Sequence, residues 1–168
     1  MKSTAKAFVA IRSLFLIALI GAGLCCHKDN RATNCSADRE SLQSVLAEDQ
    51  RVAGLLREVD DMALRGKPLE AAIRIENDAL PAMQKVVDRA EKVVVRTKWG
   101  EAQQRELLGL TQRRQELIKA YAKALRTEDL QKVLAELERQ RDLEKLALEV
   151  QRKATRLPPG HAESCDQR

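Results

Sequence analysis

Residues 41–66, SLQSVLAEDQRVAGLLREVDDMALRG, carry the pattern that decides the fold. Their apolar residues recur at alternating spacings of three and four, which is the repeat of an α-helix that buries one face. The stripe consists of Leu42, Val45, Asp49, Val52, Leu56, Val59 and Ala63, with a carboxylate in its middle. We therefore predict a helix from Ser36, a suitable N-cap, to Arg65, ended by Gly66.

A second amphipathic segment is predicted from Pro68 to Thr97. Its stripe consists of Leu69, Ile73, Glu76, Leu80, Met83, Val87, Ala90 and Val94. Pro81 lies inside this pattern and lacks a backbone N–H, so we expect a kink or break over residues 77–80.

Two more helices are predicted, from Glu101 to Arg126 and, capped by Thr127, on to Leu157. Short links between helices of similar length predict an all-α, up-down-up-down four-helix bundle over residues 36–157. The alternative is a pair of antiparallel long-helix hairpins that bury their stripes by dimerising.

The composition of the chain supports helices and excludes some function classes. Aromatic residues make up 2% of the 168 residues and charged residues 33%, which argues against a β-sandwich or barrel. Three of the 30 basic residues, Lys2, Lys6 and Arg12, lie in the N-terminal stretch, which leaves 27 against 25 acidic residues elsewhere. A body so close to neutral gives no electrostatic case for binding nucleic acid.

Residues 1–26 are predicted to be a signal peptide or a membrane anchor. The three basic residues precede an uncharged run, Ser13 to Cys26, that is short for a membrane span. Positive charge before such a run directs the rest of the chain outward. We therefore expect an exported protein of the bacterial periplasm or of the membrane-attached cell envelope.

The end of this run, Ala22-Gly-Leu-Cys25-Cys26, resembles the cleavage site of bacterial lipoproteins. The resemblance implies lipidation at Cys25 or Cys26. An uncleaved anchor and a soluble exported protein are the alternatives. A short linker over 27–35 and a C-terminal tail over 158–168 complete the predicted organisation.

The two remaining cysteines, Cys35 and Cys165, flank the predicted bundle. In an up-down bundle of four helices both termini emerge at the same end, so a disulfide between them is feasible in an oxidising compartment. The alternative is two free thiols in flexible ends.

Polar residues interrupt the apolar stripes at one height, when positions are counted outward from the links. This predicted core polar layer comprises Asp49, Gln84, Arg114, Gln140 and Arg141. It could form a ligand pocket, a buried Asp49–Arg114 or Asp49–Arg141 ion pair that fixes register, or a set of solvated side chains.

The link between the second and third helices carries Arg96, Lys98 and Trp99. Topology places it at the end that bears both termini. A cationic loop with a tryptophan could contact lipid headgroups there. In the alternative interpretation, Trp99 plugs the open end of the bundle.

The side chains that catalysis usually requires are sparse. The only histidines, His27 and His161, lie outside the bundle, and no phosphate loop or nucleophile elbow is present. We therefore predict no enzymatic activity, no cofactor and no metal. The expected function is a structural or protein-interaction role in the envelope, with the membrane contacted through the N-terminal segment and the protein partner unknown. The alternative is a binding module for a small ligand or for unfolded clients.

Overall fold

The computed structural model of the chain describes residues 29–156 and Cys165, and these residues form helices and no strand. The elements are α1 (Asp29–Leu64), α2 (Pro68–Arg74), a π-helical turn (Ile75–Ala79), α3 (Leu80–Lys92), α4 (Lys98–Arg126) and α5 (Leu130–Thr155). The predicted signal or anchor segment, 1–26, lies outside the described residues.

Four helical rods make up the fold, because α2, the π-helical turn and α3 follow one another without a break. The predicted all-α bundle is thereby confirmed. The rods are not equivalent. α1, α4 and the α2–α3 rod all pack against one another, whereas α5 packs only on α1 and α4. The bundle is therefore a three-rod core with α5 laid across the groove between α1 and α4.

One buried cluster fills the space between the rods. Its largest side chains that are almost completely buried are those of Tyr121, Leu42, Ile75, Met83, Leu107 and Leu110. α5 adds only Leu143, Val150 and Ala154 at buried positions. The packing of α5 on the bundle therefore depends more on partly buried side chains than does the packing of the other rods.

The register of α2 differs from the prediction. Leu69 and Ile73 were expected in the core but are 46% and 48% exposed, and Ala71, Ala72 and Ile75 are buried instead. A π-helical turn holds one residue more than an α-helical turn, so the helix before it is rotated by about 100° relative to a regular continuation. Pro81 lies just after this turn. Of the kink or break predicted over 77–80, the break is absent, because the helix continues through the π-helical turn, an irregularity that accommodates the missing proline N–H.

Two predicted helix starts are also wrong. Residues 29–35 already belong to α1, so they are helical and are not a linker, and Ser36 is not an N-cap. Thr127 ends α4, where its hydroxyl donates to the Ala124 carbonyl at 2.8 Å. The cap of α5 is Asp129, whose carboxylate accepts hydrogen bonds from the backbone N–H groups of Gln131 and Lys132.

Candidate functional site: a buried ion cluster and the disulfide end

A buried ion pair joins α1 and α4 halfway along the bundle. Arg114 Nε donates to Asp49 Oδ1 at 2.8 Å and Arg114 Nη2 donates to Asp49 Oδ2 at 3.2 Å. Both side chains are almost completely buried. Arg114 Nη1 also donates to Glu144 Oε1 on α5, so one guanidinium ties three rods together.

Burial and neighbouring charges shift the pKa values of this cluster in opposite directions. Burial raises the pKa of Asp49, and the Arg114 guanidinium offsets part of that rise. Burial alone would lower the pKa of Arg114, but Asp49 and Glu144 together raise it. The guanidinium therefore stays charged and holds both carboxylates near it.

Of the residues in the predicted polar layer, Asp49 and Arg114 meet in the core, whereas those predicted on α5 do not join them. Arg141 is exposed, and Gln140 is half-buried with an Nε2 that has no hydrogen-bond partner among the described residues. Glu144, one helical turn further along, takes the place assigned to them. Gln84 bonds at the surface instead, accepting from Gln115 at 2.6 Å and donating to Asp88 at 2.7 Å.

A cleft of about 280 Å³ opens beside the ion cluster, between α1 and α5. Its lining includes Asp49, Arg114 and Glu144 together with Leu46 and Leu148. Asp49, Arg114 and Glu144 already satisfy one another. This arrangement favours the register-fixing ion pair over a ligand pocket at this level.

The predicted disulfide joins Cys35 on α1 to Cys165 in the C-terminal tail, at one end of the bundle. The Sγ atoms of Cys35 and Cys165 are 2.04 Å apart and their Cα atoms 5.5 Å apart, across a separation of 130 residues. Cys35 Sγ also lies 3.9 Å from Thr97 Oγ1, so the bond sits beside the link between α3 and α4.

A buried carboxylate organises this end, and sequence reasoning missed it. Asp38 accepts hydrogen bonds from the backbone N–H of Arg96 at 2.9 Å, from that of Thr97 at 2.9 Å and from the Thr97 hydroxyl at 2.6 Å. The Thr97 hydroxyl in turn accepts from the Gly100 N–H at 2.9 Å and caps α4. The position of Asp38, three residues after Cys35 on the same helix face, was the available signal.

Gly100 is required by this close packing. A Cβ atom at this position would lie 2.3 Å from Asp38 Oδ2, and the carboxylate cannot move away because it holds three hydrogen bonds. The backbone of the link between α3 and α4 is therefore held against α1, independently of what the exposed side chains of the link contact.

The side chains of the predicted membrane-proximal loop point to different environments. Trp99 is half-buried and packs against the core cluster, whereas Arg96 and Lys98 are exposed. The candidate lipidation sites, Cys25 and Cys26, lie outside the described residues.

Within residues 29–156, no helix is both long and apolar enough to cross a membrane. Nor do the described residues include a group of three or more His, Cys, Asp or Glu side chains placed to hold a metal. No family model, no curated protein and no solved structure matches the chain.

Proposed function

We propose that this chain is an exported, membrane-tethered helical protein with a structural or protein-interaction role in the cell envelope. The observation that carries the proposal is the Cys35–Cys165 pair at disulfide distance. Disulfides that close a domain are typical of oxidising compartments such as the periplasm. This agrees with the export signal that the sequence predicts at residues 1–26.

The proposal gives the two ends of the bundle different roles. The disulfide and the start of α1 lie at the end nearest the N-terminal segment, which we term the tether end. The turns after α1 and α4 lie at the opposite end, which we term the distal tip. Five exposed apolar residues belong to these turns or to the helices next to them: Leu64, Leu69, Ile73, Leu130 and Leu134.

Exposed apolar side chains grouped at one end favour an interaction surface. Leu69 and Ile73 are exposed because the π-helical turn rotates α2, and such turns are frequent at functional sites. In the proposed function the tether end holds the protein at the membrane and the distal tip meets the partner.

The tether is tested by fractionation and acyl labelling of the full chain in a bacterial host. We expect membrane-associated protein that incorporates labelled fatty acid, and loss of the label when Cys25→Ala and Cys26→Ala are combined. A control with Cys35→Ala and Cys165→Ala should keep the label. Protein that stays in the cytoplasm with reduced cysteines would overturn the proposal.

The distal tip is tested with a photocrosslinking amino acid placed at Leu69 or Ile73 in the tethered protein. The matched control is Leu148, which is 54% exposed but lies beside the central cleft. We expect one discrete adduct from both tip positions and none from the control. Equal adducts from all three positions would argue against a partner-specific surface.

A further inference from the structure

A groove lies between α1 and the rod formed by α2, the π-helical turn and α3. We term it the side groove, and it is lined by residues from 48–55 and from 77–86. Its volume is about 460 Å³, within the range of small-ligand sites. α5 lies across the neighbouring groove between α1 and α4 and does not pack on the α2–α3 rod. Among the described residues, no helix therefore covers the side groove.

The floor of the side groove is apolar. Val52 and Val86 line it and are buried, one on each wall. Leu55 and Ala82 are half-buried and extend the apolar surface outward, and Pro81 adds to it next to the π-helical turn. An apolar ligand group that packs on this surface would be removed from water, which favours binding.

The two acidic residues that line the groove already have partners. Asp78 forms an ion pair with Arg74 at 2.7 Å, and Glu48 forms one with Arg89. Neither arginine belongs to the lining of the groove. The negative charges at the groove are thus offset by cations from outside it.

The two basic residues that line the groove have no such partners. Arg51 on α1 and Lys85 on α3 are exposed, and neither forms an ion pair or a hydrogen bond with another described residue. The exposed Asn77, in the π-helical turn, adds an amide that is also without a described partner. Free cations on both walls of an apolar groove are complementary to an anion that carries an apolar body.

We infer that the side groove binds a small organic anion with an apolar body, whose charged group lies between Arg51 and Lys85 while its apolar part packs on the floor. A carboxylate and a phosphate ester share this chemistry. A cationic ligand would meet like charge on both walls. The inference goes beyond the proposed function, because the groove shares no residue with the tether end or with the exposed residues of the distal tip.

The place of the groove along α1 favours a dissolved ligand over a bilayer lipid. Its first lining residue, Glu48, lies about 20 Å further along the helix than Cys35, which marks the tether end. A lipid that stays in the membrane beyond the tether end would not reach this height. The ligand is therefore a solute.

The test uses the purified full chain in phosphatidylcholine nanodiscs at pH 7, with empty nanodiscs to correct for partitioning of the probes. Hexanoate, hexyl phosphate, hexan-1-ol and hexylamine share one chain and differ in the head group, and inorganic phosphate lacks the chain. The readout is the methyl NMR signals of Val52, Leu55 and Val86. We expect saturable shifts with hexanoate and hexyl phosphate, weaker shifts with hexan-1-ol, and none with hexylamine or inorganic phosphate. The tighter of the two anions identifies the preferred head group.

Variants separate the contact with the charged group from simple apolar binding. Arg51→Gln and Lys85→Gln should each weaken hexanoate binding by about threefold or more, because an exposed charge pair is lost. The double variant should bind hexanoate no more tightly than hexan-1-ol. Arg57→Gln is the matched control, since Arg57 is an exposed arginine on the same helix that lines the central cleft instead. Circular dichroism confirms that each variant is folded.

Four outcomes would overturn the inference. They are equal shifts from hexanoate and hexylamine, unchanged hexanoate binding in the double variant, inorganic phosphate that binds as tightly as hexyl phosphate, and a concentration-dependent dimer, seen by light scattering, that protects the same methyl groups. The tether and crosslinking experiments do not depend on any of these results, so the inference can fail while the proposed function stands.

Discussion

At the residue scale, the buried Asp49–Arg114 pair should tolerate the loss of both members far better than the loss of one. Arg114→Met should lower the free energy of unfolding by about 3–5 kcal/mol, because it leaves a buried carboxylate without a partner. Replacing both members by apolar residues, with Asp49→Leu and Arg114→Met, should restore most of the stability or exceed it. Urea unfolding measures both changes.

Glu144→Gln is the control for this series, since the Glu144 side chain is 47% exposed and loses little when neutralised. If Arg114→Met were as mild as this control, the pair would have to be solvated rather than buried.

The ionised Asp60 carboxylate should lower the free energy of unfolding, whereas a stabilising carboxylate raises it when ionised. Burial raises its pKa above the unfolded value of 3.8, an effect that the nearby Tyr121 hydroxyl partly offsets. The ionised group therefore costs stability above its folded pKa, and this cost vanishes below pH 3.8, where both states are protonated.

Asp60→Asn should thus be more stable than the parent at pH 7 and equal to it near pH 3, as measured by urea unfolding at the two pH values. Asp61→Asn shares the helix end but is exposed, so its effect should be smaller. If Asp60→Asn were more stable than the parent by the same amount at pH 3 as at pH 7, this account would be contradicted.

At the scale of helices, the apolar periodicity predicts the number, order and approximate bounds of the rods. It cannot predict a shift of register inside one rod. Leu69 and Ile73 fit a regular helix continued back from Met83, and only the π-helical turn places Ala72 and Ile75 in the core instead. The available signals were Pro81 and the repeated spacing of four in Ile75, Ala79 and Met83.

The candidate site was predictable to the same degree. Counting residues outward from the links found Asp49 and Arg114, because both lie in long, regular helices. The same counting selected Gln140 and Arg141 rather than Glu144, because the centre of the last turn was set by residue number alone. Such a count places a residue only to within about one helical turn. The bonds of Asp38 to the distant link carry no periodic signature, so periodicity could not reveal them.

The rotated register gives a direct test. Ile73→Lys should change the free energy of unfolding by no more than about 0.5 kcal/mol, because the side chain is exposed. Ile75→Ala should cost about 2–5 kcal/mol, because Ile75 is fully buried. Urea unfolding of the two variants decides between registers, since a regular α-helix would reverse the order.

At the scale of the whole molecule, the disulfide limits how far the unfolded chain can expand. Replacing Cys35 and Cys165 by serine opens a loop of 130 residues, and the chain-entropy treatment assigns such a loop about 4–5 kcal/mol. We expect a loss of stability up to this size, measured by urea unfolding, and the same loss when the parent is reduced. An unchanged midpoint after reduction would show that the bond adds nothing to the folded state.

The position of that bond also determines how the molecule responds to mechanical load. A pull applied between the N-terminal segment and the C-terminal tail enters at the start of α1, crosses from Cys35 to Cys165 and leaves the molecule there. The rods between the two cysteines lie inside a covalent ring and carry none of the tension. In the reduced protein the same pull would run through α5, the rod with the fewest neighbours, and would peel it from α1 and α4 first.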